Sequence, residues 1–246
     1  MTLAHIAAKQ PLVHCMTNTV VTNFTANGLL AIGASPIMAD AMEEAAHITS
    51  IADALLINIG TIQAHTVEAM HAAMKSAKAH HKPVVLDPVG AGASRYRIET
   101  VRALLTHGVT LIRGNAGELA AIAGVTWSAK GVDGGDGEAD VAHIAKTVAK
   151  AHRCIVVITG EEDVVTDGET VIHVAGGNAQ VTRITGSGCL LSAIVAALLA
   201  SCDGTLEQIA ALLAQYKEAA VNANGFAGTY AVTFLDALQQ LSEVDV

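Results

Sequence analysis

Residues 183–193, RITGSGCLLSA, join a glycine-rich turn to an apolar run of helical length, with Cys189 at the junction. Gly186 and Gly188 allow backbone conformations closed to other residues. A helix starting there aims its free N–H groups and partial positive charge at whatever lies in front of it. Such a turn can hold an anion, and it can equally be a plain connection whose glycines permit close packing. It is not a Walker A loop, because GxxxxGK[ST] occurs nowhere and no lysine follows the glycines. Cys189 has three readings: a small buried residue, the ordinary state of a free cysteine; a base beside a bound anion; or a nucleophile. A helix N-terminus lowers a thiol's pKa, while a covalent role would also need a positioned histidine.

Other polar residues follow short apolar runs. RGNAGE supplies the guanidinium of Arg113, the amide of Asn115 and the carboxylate of Glu118. Arginine matches phosphate oxygens bidentately, and a carboxylate can hold hydrated Mg²⁺. The same residues also fit a helix start, with Asn115 as N-cap and Glu118 closing a capping box. In LDPVGAG, Asp87 is either a carboxylate poised near phosphate and metal or a turn-forming residue. Asn58, Gly60, Thr159 and Gly160 occupy similar positions. GAGAS lacks the third glycine of a dinucleotide fingerprint, which sets NAD aside.

These residues matter together only if one architecture collects them. PLVHC, PIMAD, ALLINIG, PVVLDPVG, TLIRGN and CIVVITG alternate with alanine-rich stretches of helical length, the pattern of a mainly parallel sheet. PVVLD and CIVVIT are continuous apolar runs, as expected of strands buried on both faces. The expected fold is α/β, with one central sheet covered by helices on both faces and the whole chain, residues 1–246, as one domain. In such sheets ligands bind beyond the carboxyl ends of the strands, where the polar residues above fall. Asp-Gly within EEDVVTDGETVIHVAG predicts an antiparallel hairpin. Residues 187–201, and 206 to the end, read as helix with a break at Asp203-Gly204. Residues 125–140, VTWSAKGVDGGDGEAD, read as a long surface loop.

Composition narrows the chemistry. A net charge of −9 with no Lys/Arg run argues against nucleic acid, whose affinity comes largely from phosphate neutralisation. Four cysteines without a CxxC pair, and eleven histidines without HExxH, indicate neither a zinc site nor a disulfide framework. The chain reads as cytoplasmic. No apolar run reaches the roughly 18 residues of a membrane span, and no targeting signal is visible. Abundant alanine and little charge point to buried contacts between subunits.

In chain order, PLVHCMTN, ANGLLAIGASPIMA, ALLINIGT, PVVLDPVGAGA, RGNAGE, VVITGEEDVVTDG and TGSGCLLSA resemble the hydroxyethylthiazole kinases of the ribokinase-like superfamily, over nearly the whole chain. The resemblance implies ATP-dependent, Mg²⁺-assisted phosphorylation of the primary alcohol of 4-methyl-5-(2-hydroxyethyl)thiazole. It implies a homotrimer with active sites near the subunit interfaces, whose partners are small molecules and neither nucleic acid nor membrane. It further implies that Met38 and Gly186 contact the thiazole through the backbone, with Asn23 as a further candidate, and that Arg113 and Thr159 bind ATP. Asp87 and Glu118 match acidic metal and phosphate positions, and Cys189 stands where related sugar kinases have an aspartate base. Gly117 replaces an expected serine in an otherwise intact NxxE frame, and the family's first helix is expected to be incomplete or absent. The alternatives are another ribokinase-like kinase or repair dehydratase, a cysteine hydrolase indifferent to ATP, and a non-catalytic nucleotide sensor.

Overall fold

The computed structural model describes residues 2–125 and 137–243. Its strands are β1 (Leu12–Met16), β2 (Ser35–Ile37), β3 (Ala54–Asn58), β4 (Val84–Asp87), β5 (Leu111–Asn115), β6 (Ile155–Thr159), β7 (Asp163–Thr166) and β8 (Val171–Val174). Its helices are α1 (Thr2–Lys9), α2 (Thr22–Ala31), α3 (Ala45–Ile51), α4 (Ala64–Ala79), α5 (Arg95–Leu105), α6 (Ala116–Ala123), α7 (Gly137–His152), α8 (Ser187–Ser201), α9 (Leu206–Asn222) and α10 (Ala227–Ser242). The strands form one sheet in the order β2-β1-β3-β4-β5-β6-β7-β8. The pairs from β2 to β6 are parallel, and β7 and β8 add the expected antiparallel hairpin.

Side chains alternate across the strands, and each face has its own core. Cys15, Leu56, Val85, Leu111 and Val157 pack toward α1, α2, α8, α9 and α10. Met16, Leu55, Ile57, Leu86, Ile112 and Val156 pack toward α3 to α7. Both faces are apolar, which is why these strands read as unbroken hydrophobic runs. The same alternation places Asn58, Asp87, Arg113 and Thr159, two residues beyond Leu56, Val85, Leu111 and Val157, on the α8 face. A one-residue slip in register would send each to the opposite face. The residues of α8 from Leu190 to Leu198 are all buried, between the sheet and the outer helices. A helix buried on every side has no solvent face to offer, so its amino end, and the one polar side chain of this stretch, Ser192, are what it can bring to a site.

A helix of eight residues, α1, does precede β1, so the family's first helix is not absent, and its Leu3 and Ile6 are buried in the α8-side core. Two other sequence readings are corrected. The region from residue 206 onward is two helices: Asn224-Gly225 breaks it, and Thr233 Oγ1 accepts the Asn224 N–H and donates to its carbonyl. The strand read in PIMAD is only Ser35–Ile37. The predicted loop over residues 125–140 falls largely on residues 126–136, outside the described residues.

Candidate active site

The sheet reverses strand order at β1, which pairs with β2 on one side and β3 on the other. The crevice beyond the carboxyl ends at such a point is where an α/β sheet accepts ligands. A cleft lies there, lined by Met16, Asn18, Asn58, Thr61, Ile62 and Met70 among others. The amino end of α8 closes over the neighbouring strand ends. Gly186, its N-cap, has φ of 97°, and a side chain there would also meet Val21 and Phe24. Gly188 is required for a different reason: a Cβ would lie 2.6 Å from Arg113 Nη1, so the missing side chain lets the guanidinium lie against the helix terminus.

Asp87 is fully buried at the end of β4. One oxygen, Oδ2, accepts hydrogen bonds from Asn58 Nδ2 (3.1 Å) and Ser192 Oγ (2.8 Å) and lies 3.9 Å from Arg113 Nη1. Among the described residues Oδ1 has no partner, and neither does the buried Arg113 Nε. Burial raises the Asp87 pKa to about 6, against the opposing pull of Arg113 and the two hydrogen bonds; Glu118 adds to the rise. The long Arg113 contact is too weak to offset desolvation. Arg113 Nη2 in turn donates to Thr159 Oγ1 at the end of β6.

Cys189 sits half-buried in the first turn of α8. Its Sγ accepts a hydrogen bond from Asn18 Nδ2 (3.4 Å), which also donates to Asn58 Oδ1 (2.9 Å). A continuous chain of polar groups thus runs Cys189–Asn18–Asn58–Asp87–Ser192. The expectation that the helix terminus lowers the thiol pKa is overturned. Burial, then the nearby Asp87 charge, raise it, outweighing the Asn58 and Asn18 hydrogen bonds and Arg113.

Glu118 forms the capping box foreseen for it. Its Oε2 accepts the Asn115 N–H (2.8 Å) while Asn115 Oδ1 accepts the Glu118 N–H (2.9 Å). Its Oε1 also accepts the Gly90 N–H (2.8 Å), tying the loop after Asp87 to α6. Among the described residues no group of three metal-ligating side chains occurs. The donors present suit a hydrated Mg²⁺ carried on phosphates, which needs only one or two carboxylates, and the orphaned Asp87 Oδ1 is a free acceptor for it.

The structure therefore brings Asp87, Arg113, Thr159, Gly186 and Cys189 together, with Glu118 beside them through the Gly90 loop. Met38 lies just past β2, half-buried against the α8-side core. Asn23 is not drawn in: it is exposed on α2, where its Oδ1 accepts from Asn27 Nδ2 (3.0 Å). Sequence reading missed Asn18 and Ser192. It also missed Arg97 of α5, whose guanidinium donates to Ile59 O (2.7 Å), Gly60 O (2.6 Å) and Val89 O (2.8 Å) and so joins the loops after β3 and β4. Tyr216 of α9 similarly donates to Ser187 O (2.6 Å). Ser192 alone carried a signal, lying one helical turn past Cys189.

The chain resembles proteins of known class throughout its length. It is 50% identical over 242 residues to a hydroxyethylthiazole kinase of Lysinibacillus sphaericus, covering 97% of this chain and 95% of the relative. The solved structure of the hydroxyethylthiazole kinase protein from Pyrococcus horikoshii superposes with a TM-score of 0.87 at 36% identity, covering 98% of this chain and 92% of that one. A Bacillus subtilis pyridoxal kinase, solved as an ADP complex, shares the fold with a TM-score of 0.63 at 20% identity over 85% of this chain and 90% of its own. With the model of the hydroxyethylthiazole kinase family matching residues 3–244, the chain belongs to that family.

Proposed function

We propose that this protein transfers the γ-phosphoryl group of ATP to the hydroxyl of 4-methyl-5-(2-hydroxyethyl)thiazole, as a step of thiamine biosynthesis or salvage. The observation that carries this reading is the amino end of α8, whose free N–H groups face the strand ends where Asp87, Arg113 and Thr159 converge.

Phosphoryl transfer asks the protein mainly for positioning and electrostatic stabilisation. The hydroxyl oxygen attacks the γ-phosphorus as the bond to the β–γ bridging oxygen breaks, and ADP leaves with that electron pair. Backbone N–H groups of Gly186–Cys189 stabilise charge on the transferring group, and Arg113, held by Thr159, faces the phosphates. Mg²⁺ on the nucleotide would neutralise further charge, held by Asp87 through its free oxygen and by Glu118 through water. The raised pKa keeps the Cys189 thiolate a minor form at neutral pH; that thiolate, beside the acceptor hydroxyl, takes the hydroxyl proton late in the transfer. Met38 and Gly186 present backbone to the thiazole, and Asn23 is assigned to the acceptor side at a contact between copies of the chain. The proposed assembly is a homotrimer whose sites lie near its interfaces, working in the cytoplasm. All four cysteines are free, as a reducing compartment requires, and no helix of the described residues is long and apolar enough to cross a membrane.

The test is to incubate the protein with ATP, Mg²⁺ and a panel of hydroxyalkyl heterocycles and to detect phosphorylated products by mass spectrometry. Phosphorylation of the thiazole in preference to pyrimidine alcohols is expected. Transfer to a pyrimidine alone, or turnover without ATP, would overturn the assignment.

A further inference from the structure

Resting on the reading of this site as a nucleotide-dependent kinase, we propose that Lys217 of α9 is a positioning residue for nucleotide binding, which fixes the loop after β6 by gathering its inward-facing polar groups onto one ammonium.

The Lys217 side chain is 11% exposed and its partner Asp163 only 5%. Lys217 Nζ donates to Glu161 O (3.0 Å) and Gly176 O (3.2 Å), approaches Gly160 O at 3.4 Å, and pairs with Asp163 Oδ1 at 3.2 Å. Asp163 Oδ1 also accepts the Gly160 N–H (3.0 Å). The stem runs along the backbone after β8, where a Cβ on Gly177 would come within 3.3 Å of Lys217 Cγ. One side chain therefore joins α9, the β6–β7 turn and the exit of β8.

The physical need for it is local. Residues 160–162 connect two paired strands, and the ladder holds only the base of the turn, where Ile158 pairs with Val164. Carbonyls of Gly160, Glu161 and Gly176 converge on one point together with a buried carboxylate, and a compact ammonium with three donors satisfies that arrangement. Without it, the buried Asp163 carboxylate would be left unpaired against three carbonyls of exposed loop residues, and the turn would shift to bring water to it. Thr159 immediately precedes Gly160, and its Oγ1 accepts from Arg113. A shift at Gly160 therefore moves the group that orients the proposed phosphate-facing guanidinium. Met38, which the proposed function sets against the thiazole, and the cleft-lining Asn18 and Asn58 stand on β1, β2 and β3 or just past them, at the other end of the sheet order.

Three variants test the idea: Lys217→Met; Lys217→Met with Asp163→Asn, which removes the buried pair as a unit and leaves no unpaired carboxylate; and Lys217→Arg, which keeps the charge and the pair but has a planar fork. Titration calorimetry with a non-hydrolysable ATP analogue in the absence of thiazole reads nucleotide affinity directly, and steady-state kinetics read the two KM values and kcat. The double variant is expected to melt cooperatively and to bind nucleotide about ten- to a hundredfold more weakly, the loss of one or two charge-assisted contacts. The ATP KM should rise in parallel while the thiazole KM stays within about threefold, a margin of less than one tenfold step in free energy. Lys217→Arg should fall between wild type and the double variant. Wild-type nucleotide affinity in the double variant or in Lys217→Arg, or an equal loss of thiazole affinity, overturns the proposal. A wild-type protein that binds the nucleotide analogue yet leaves the thiazole unphosphorylated would refute the acceptor assignment alone, and the Lys217 measurements would still decide this inference.

Discussion

Asp87 and Cys189 share one polar chain and one low-dielectric environment, and each is biased toward its neutral form. For Asp87 the folded pKa of about 6 lies above the ordinary 3.8. The stability that this shift contributes is fully present below the unfolded value and is lost as pH rises through about 6. A shift of about two units corresponds to roughly 3 kcal/mol in a site with no solvent to discount it. Asp87→Asn should therefore gain thermal stability relative to the wild type as pH is raised from 4 to 8, when both are melted without nucleotide. A difference in Tm that stays flat across this range would show that Asp87 ionises freely in the folded protein. The same substitution should nearly abolish turnover, because the orphaned oxygen assigned to the metal is replaced. The raised thiol pKa limits what Cys189 contributes. Cys189→Ala should slow turnover at the lower end of general acid–base effects, about 10²-fold, with nucleotide affinity intact. A covalent role predicts complete loss of turnover together with an adduct on Cys189 in the intact mass of the working enzyme.

The amino end of α8 is where an element rather than a residue does the chemistry, and Gly188 isolates its contribution. Alanine is favoured over glycine within a helix by up to about 1 kcal/mol, yet a methyl group at Gly188 would displace the Arg113 guanidinium that lies within 2.6 Å of its position. Gly188→Ala should leave Tm unchanged or slightly raised while the ATP KM rises. A variant with unchanged kinetics would place Arg113 away from the nucleotide. The elements themselves were legible because strand parity, caps and breakers are local properties. PVVLD and CIVVIT announced double-sided burial, and α8 begins and ends where its glycine turn and Asp203-Gly204 predict. What the sequence did not reveal depends on contacts between distant positions. Asn18 reaches Cys189 across 171 positions and Ser192 reaches Asp87 across 105. Arg97 and Lys217 face loop carbonyls, which carry no residue-specific signature. The Cys189 pKa went the wrong way for a related reason: a helix terminus can be read locally, whereas burial and the approach of Asp87 exist only after folding.

At the scale of the molecule, the proposed function divides the strand order between the two substrates, with the acceptor assigned to β1 to β3 and the nucleotide to β5 to β8. The stretch flanking β2 exposes apolar side chains, as does the stretch of α9 and α10 that carries Val221, Phe226 and Val232. Val20, Leu30, Met42 and Ile51 are each more than half exposed and all come from the chain flanking the edge strand β2. Asn23 and Met38 belong to the same stretch. Pro36 deprives that edge of a backbone donor, so association there would proceed through side chains and not by extending the sheet. Covering the exposed part of Leu30 alone would contribute about 1–2 kcal/mol per copy, enough for a single charge at that position to unbalance assembly. The proposed trimer with interfacial sites therefore makes a joint prediction for Leu30→Asp. Light scattering should fall from three copies to one, the thiazole KM should rise steeply because the acceptor pocket loses its neighbour, and affinity for an ATP analogue should persist because β5 to β8 and the amino end of α8 lie within one chain. A wild-type protein that sediments as a fully active monomer would refute the interfacial site, and a dissociated Leu30→Asp variant with unchanged thiazole KM would separate assembly from catalysis.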